Sequence, residues 1–221
     1  MDTDDRIDGL FIGAVAPLTD TRDSAIAKHA CHGAAELTPL GLTGDARADR
    51  EHHAGPERAL LHYCARHYAD WAREFPQAAA RFVAPGFGEN ISSVRMDEEN
   101  VCIGDVYRLG TARVQVSQPR TPCWKLDVHF GVPDLARQVR SRQRCGWLYR
   151  VLEPGEIAAG GRIERLERPY PEFSVAAVVR AVDAEVIDRD YLGAIAALPG
   201  LSPNWRGKAE GRLAGIVPAP R

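Results

Sequence analysis

Val101-Cys102-Ile103-Gly104-Asp105-Val106-Tyr107-Arg108-Leu109, then Gly110, then Ala112-Arg113-Val114-Gln115-Val116-Ser117, carries the plainest local instruction in the chain. In each run apolar and polar residues alternate, which sends successive side chains to opposite faces of a strand. A glycine turn between two such runs predicts a β-hairpin with one face toward a core. Beyond it, Pro119 and Pro122 forbid regular structure until Cys123, so the second strand should end at a rigid, irregular segment.

Upstream, Ile7 to Val15 is a short strand candidate, with a turn over Pro17 to Asp23. Ser24 to Lys28 and Glu36 to Leu40 read as extended, and Asp49 to Pro56 as an exposed polar loop. Ala59 to Trp71 and Gln77 to Phe82 read as helical, interrupted by Pro76 and stopped by Pro85-Gly86. Downstream, Pro133 to Arg142 reads as a helix, and Gly146 to Leu152 and Arg162 to Leu166 as strands. After Tyr170-Pro171-Glu172 the period becomes helical. Val175, Val178, Val179 and Val182 share a face, and Tyr191 to Leu198 and Asn204 to Leu213 give two more short helices. Each is too short to be stable alone, so they should pack as a three-helix tail.

Composition narrows the function. With 221 residues and 45% hydrophobic content, the chain can bury a core as one large domain plus a small appendage. A formal charge of −2 gives no electrostatic case for a nucleic-acid polymer or an anionic membrane. No apolar run approaches the ~20 residues of a membrane-spanning helix, and acidic Met1-Asp2-Thr3-Asp4-Asp5 is unlike a secretory signal. The five cysteines are odd in number and never form a C-x-x-C pair, which argues against a disulfide framework or a structural zinc site. The expected compartment is the cytoplasm.

Four features carry candidate chemistry. Cys123 follows two prolines and is flanked by Arg120 and Lys125, cationic neighbours that favour a thiolate. Metal ligand, nucleophile and inert core thiol all stay open on this pattern. Between His52 and Tyr63, small residues would let backbone approach a ligand, and Arg58 could hold a phosphate through paired donors. The histidines there lack i, i+4 ligand spacing, which weighs against zinc. Gly86-Phe87-Gly88-Glu89-Asn90-Ile91-Ser92 is a glycine-bracketed turn able to present polar groups to a heterocycle, though it lacks a nucleotide-loop pattern. Asp45, Asp49, Glu51 and Glu57 read as solvated acids rather than a metal cluster.

Taken in order, these segments resemble the YiiM-like branch of the MOSC family (molybdenum cofactor sulfurase C-terminal domain). The resemblance rests on Ser24-Ala25-Ile26-Ala27-Lys28, Leu40 to Asp45, His53-Ala54-Gly55-Pro56-Glu57-Arg58-Ala59-Leu60, Gly88-Glu89-Asn90-Ile91-Ser92, Ile103-Gly104-Asp105, Gly146-Trp147-Leu148-Tyr149 and, most specifically, Val116 to Leu126. It implies a mixed α/β fold: a MOSC β-barrel domain with peripheral helices over residues 1–169, then a small three-helix domain over 170–221. It implies the molybdenum cofactor (molybdopterin), its metal bound by Cys123. Lys28, Arg58, Glu89, Asn90, Ser117 and Arg120 match segments expected around that cofactor, and His53 or His62 would handle protons.

The implied activity is two-electron reduction of N-hydroxylated purines, pyrimidines or related compounds, such as hydroxylaminopurine, to the amine. Trp124, Tyr63 or Phe87 would stack on the base. With no flavin or iron–sulfur motif in the chain, electrons would come from a separate flavoprotein reductase. The alternative is a cofactor or persulfide carrier without turnover of its own. A homodimer is among the assemblies left open. One departure stands out: the family commonly has two glycines after the histidine matching His53, where this chain has Ala54 then Gly55.

Overall fold

The computed structural model describes residues 5–48 and 55–215. In chain order the strands are β1 (Asp5–Arg6), β2 (Gly9–Gly13), β3 (Ala16–Thr19), β4 (Arg22–Ser24), β5 (Lys28–Ala30), β6 (Ala34–Thr38), β7 (Gly41–Leu42) and β8 (Leu60–Cys64). They continue with β9 (Ile91–Ser93), β10 (Val106–Leu109), β11 (Ala112–Pro119), β12 (Trp147–Glu153), β13 (Gly155–Ala158) and β14 (Arg162–Glu167). The helices are α1 (Arg66–Glu74), α2 (Lys125–Phe130), α3 (Leu135–Ser141), α4 (Val175–Asp183), α5 (Arg189–Ala197) and α6 (Pro203–Leu213). A nine-stranded sheet, ordered β1-β14-β10-β11-β12-β8-β9-β2-β5, curls into a half-barrel, and small sheets β13-β6-β7 and β3-β4 flank it.

The hairpin forms as expected, with Leu109 opposite Ala112 and Gly110-Thr111 as its turn. Its first arm is shorter than the alternation suggests. Val101 to Gly104 leaves the sheet because Cys102 bridges Ser174 and Asp105 turns back to accept from the Cys102 N–H. The second arm runs two residues further, to Pro119, and is bulged against β12 between Val116 and Gln118. Such a bulge bends the strand and re-aims its side chains.

Two other expectations are corrected. Leu60 to Cys64 is a strand, not the start of a helix, and the helix begins only at Arg66. That strand pairs antiparallel with β12 and parallel with β9, and Leu60, His62, Tyr63 and Cys64 are all buried. A run covered on both faces loses the period that tells strand from helix. Ser24 to Lys28 is not one extended run, because strands stop at Ser24 and resume at Lys28. As expected, no helix begins before Cys123: α2 starts at Lys125, so the proline-stiffened segment is a short link between a strand and a helix.

The tail is three helices. Val175, Val178, Val179 and Val182 are all buried, and Ser174, Asp188 and Ser202 cap α4, α5 and α6 by accepting from backbone N–H groups of the first turn. One hydrophobic cluster runs from Leu10, Val114 and Trp147 of the sheet to Val178, Ile195 and Trp205 of the tail. No helix among the described residues is long and apolar enough to cross a membrane.

Candidate functional site

Residues of the curled sheet, its connecting segments and α6 line a cavity of about 620 Å³. Its walls come from the segment between β4 and β5, the loop at Asp45 to Ala48, Arg58, Leu61 of β8, the Phe87–Asn90 turn, the link from Gln118 to Lys125, Leu148 of β12, and Asn204 and Lys208 of α6. Among the described lining residues six side chains are cationic (Lys28, Arg47, Arg58, Arg120, Lys125 and Lys208), against a single carboxylate, Asp45. Such a wall attracts anions.

Cys123 lies on this wall, half-buried, in the turn where β11 hands over to α2. Its carbonyl accepts from Leu126 N–H at 3.0 Å, which ties the thiol's backbone to the first turn of that helix. Arg120 is fixed at both ends. Its N–H donates to Gly146 O at 3.0 Å and its Nη2 to Phe87 O at 3.2 Å. Its Nη1 is buried without a partner among the described residues, as are both amide atoms of Gln118, a side chain 1% exposed on the same wall. An unpaired buried polar group costs about 1–3 kcal/mol, so these atoms call for a polar occupant of the cavity.

Asp45 is not a solvated acid. Its carboxylate accepts from Gly13 N–H at 2.8 Å, from the Lys28 ammonium, and from Asn90 Nδ2 at 2.9 Å. Burial pushes the Lys28 ammonium below its ordinary range, against the opposing pull of Asp45. Asn90 also accepts from Leu61 N–H at 3.1 Å and donates to Phe11 O at 3.2 Å. Asn90 is therefore a brace of the wall, and its side-chain amide is spent on the scaffold.

Of the residues singled out in sequence, Lys28, Arg58, Asn90, Arg120 and Cys123 converge on the cavity. Three do not. Ser117 is fully buried, its Oγ 2.6 Å from Glu57 O and 3.0 Å from Leu148 O, pinning neighbouring backbone. Glu89 sits behind the wall, accepting from Tyr68 OH at 2.5 Å, and burial raises its carboxyl to about 7. His62 is enclosed in the barrel with Nδ1 3.0 Å from Tyr149 OH and Nε2 2.9 Å from Ser93 Oγ. Burial lowers its pKa to about 3, so it is a neutral core histidine that does not line the cavity. His53 and Ala54 lie outside the described residues, while Gly55 has φ +107°.

The aromatic candidates separate too. Tyr63 accepts from Trp71 Nε1 at 2.7 Å and stacks on Phe87 at 4.1 Å, so both rings belong to the core. Trp124 is 46% exposed at the cavity and is the ring available to a flat ligand. Sequence reasoning missed Gln118, Asn204 and Lys208. Gln118 sits inside the most specific motif yet offers no local sign of its burial, and Lys208 is 87 positions from Thr121, its partner. Among the described residues no group of three or more His, Cys, Asp or Glu side chains is arranged to hold a bare metal ion.

The MOSC domain model matches residues 49–164 and the YiiM-like, 3-alpha helix domain model matches 174–215. The chain is 41% identical over 209 residues to Protein YiiM of Escherichia coli K12, covering 94% of this chain and 93% of that protein. It is 39% identical over 177 residues to a reductase of Gibberella moniliformis, covering 80% of this chain but only 31% of that protein. The crystal structure of YiiM from Escherichia coli superposes with a TM-score of 0.77 at 40% identity, covering 86% of this chain and 90% of that one.

Proposed function

This chain belongs to the MOSC domain family, in the branch with the YiiM-like three-helix domain, and we propose that it is a molybdenum-cofactor-dependent reductase of N-hydroxylated compounds. The family is associated with molybdenum-cofactor binding. The observation that carries the reading is Cys123 on a cation-rich wall beside the buried, partnerless polar atoms of Gln118 and Arg120.

The residues present fit the group. A thiolate at Cys123 is a soft ligand suited to such a metal. The unmet donor and acceptor of Gln118 match the edge of a pterin, which has both, and the cations match its phosphate. Bound there, the cofactor supplies the two-electron redox chemistry, R–NHOH + 2e⁻ + 2H⁺ giving R–NH2 + H2O. The protein's part is placement. Arg58, Arg120 and Lys125 hold negative charge, Trp124 offers a face to a base such as hydroxylaminopurine, and the bonds among Asp45, Lys28 and Asn90 keep their part of the lining rigid. With His62 enclosed, proton delivery falls to His53, the other histidine singled out in sequence. A separate flavoprotein reductase supplies the electrons.

The test compares wild type with Cys123→Ser, both purified from cells with intact cofactor synthesis. Wild type should carry molybdenum and pterin and reduce hydroxylaminopurine with a chemical reductant, and the variant should lose at least about a hundredfold in rate. Full molybdenum-dependent turnover in Cys123→Ser would remove the thiolate from the mechanism. A loaded wild type that never turns over, yet passes its cofactor to an apo-enzyme, would make the protein a carrier instead.

A further inference from the structure

The link that presents Cys123 is thinly held by its own backbone. Arg120 N–H donates to Gly146 O at 3.0 Å, and Cys123 O accepts from Leu126 N–H at 3.0 Å. Between them, Thr121 and Pro122 make no backbone hydrogen bond among the described residues. Pro122 restricts Thr121 to extended conformations and fixes its own φ, which stiffens the link. Neither restraint sets where the link lies against the rest of the molecule.

Helix α6 supplies that missing constraint at two points. At its N-terminus Ser202 N–H donates to Ser117 O at 2.9 Å, and the fully buried Ser202 caps the helix by accepting from Trp205 N–H. Further along, Lys208 Nζ donates to Thr121 Oγ1 at 2.9 Å, the one hydrogen bond that Thr121 makes among the described residues. The Lys208 ammonium also lies 4.5 Å from the centre of the Trp205 ring, a side chain 2% exposed. That contact holds a long, flexible side chain in one place. Gln118 and Arg120, both on the cavity wall, fall between the two attachment points, and Cys123 comes two residues after the second.

We propose that α6 is a splint for this link and that Lys208, acting through Thr121, is a positioning residue that sets how far the Cys123 thiol stands into the cavity. A reacting group misplaced by about 1 Å can cost a hundredfold in rate, so a bond remote from the chemistry can govern it. The splint is read from the bonds themselves, whereas the thiol's meeting a metal rests on the proposed function.

The experiment uses the full chain as wild type, Lys208→Met, Thr121→Val, Thr121→Ser and the double variant Lys208→Met with Thr121→Val. In protein from cells without cofactor synthesis, alkylation of Cys123 by iodoacetamide is followed by mass spectrometry of its peptide. The rate is taken at its high-pH plateau, where thiol ionisation no longer contributes. The plateau should rise at least about fivefold in Lys208→Met and in Thr121→Val, rise no further in the double variant, and stay at wild type in Thr121→Ser, which keeps the hydroxyl. In cofactor-loaded protein, kcat for hydroxylaminopurine should fall at least about tenfold in Lys208→Met, with KM within about twofold of wild type. A folded Lys208→Met that alkylates at the wild-type rate overturns the proposal. So do single effects that multiply in the double variant, or a raised KM with kcat unchanged, which would make Lys208 a substrate contact. Should Lys208→Met not fold, Thr121→Val reads the same bond from its other end, and a wild-type plateau there overturns the proposal equally. Alkylation needs neither metal nor turnover. A wild type that never carries molybdenum or never reduces a hydroxylamine would therefore defeat the proposed function and leave the splint to stand or fall on the thiol's rate.

Discussion

Glu89 shows how a motif residue can serve the wall rather than the ligand. Its folded pKa of about 7 stands above the ordinary 4.5 because burial disfavours the carboxylate, with Tyr68 and Arg120 only partly offsetting that cost. Between those values the folded state holds the proton that the unfolded state has released. Stability from this group is therefore full below pH 4.5 and is lost as pH rises through about 7. Glu89→Gln keeps an acceptor for Tyr68 and removes the titration. It should be more stable than wild type at pH 8, by up to about 3 kcal/mol, and close to it at pH 5. Urea unfolding at both pH values checks this, and an equal difference at the two would refute it. Asp45 is the converse case. Asp45→Ala strands the Lys28 ammonium, 7% exposed, without its carboxylate, and should cost about 3–5 kcal/mol in the same assay. A wild-type midpoint would mean that water reaches Lys28 freely.

At the scale of elements, the hairpin turn is the tightest requirement. Gly110 has φ +57°, and a Cβ there would lie 2.1 Å from Glu156 O, backbone of β13 against which the turn packs. Gly110→Ala should cost about 1–2 kcal/mol from the left-handed conformation alone, with the clash added. The readout is the urea midpoint, and an unchanged value would mean that β13 yields easily. This turn was legible because it sits between two alternating runs, and α4 was legible because Val175, Val178, Val179 and Val182 keep a helical period. The strand at Leu60–Cys64 was not, since its two covered faces leave no period to read. The site divides on similar lines. Cys123 and Arg120 belong to one short motif, whereas Asp45 finds Asn90 across 45 positions and Lys28 across 17, separations that no local pattern encodes.

For the whole molecule, the question is whether barrel and tail are one cooperative unit. They share the hydrophobic cluster, and their backbones are stitched together at both ends of the tail. Val175 N–H donates to Val101 O at 2.8 Å, Ala176 N–H to Glu98 O at 2.8 Å, and Ser202 N–H to Ser117 O at 2.9 Å. The last bond joins the cap of α6 to β11, six residues before Cys123. Local opening of the tail would expose Val178, Ile195 and Trp205 and also strip apolar cover from β11, so it should cost nearly as much as global unfolding. Hydrogen exchange of the native protein should then give the slowest amides of α4 and α6 the same opening free energy as those of β11 and β12, with the same urea dependence. A tail that exchanged several kcal/mol more easily, while the barrel stayed protected, would make it a separate module. The cavity wall at Asn204 and Lys208 would then come and go with it, and cofactor or substrate would bind in competition with tail opening rather than on a preformed surface.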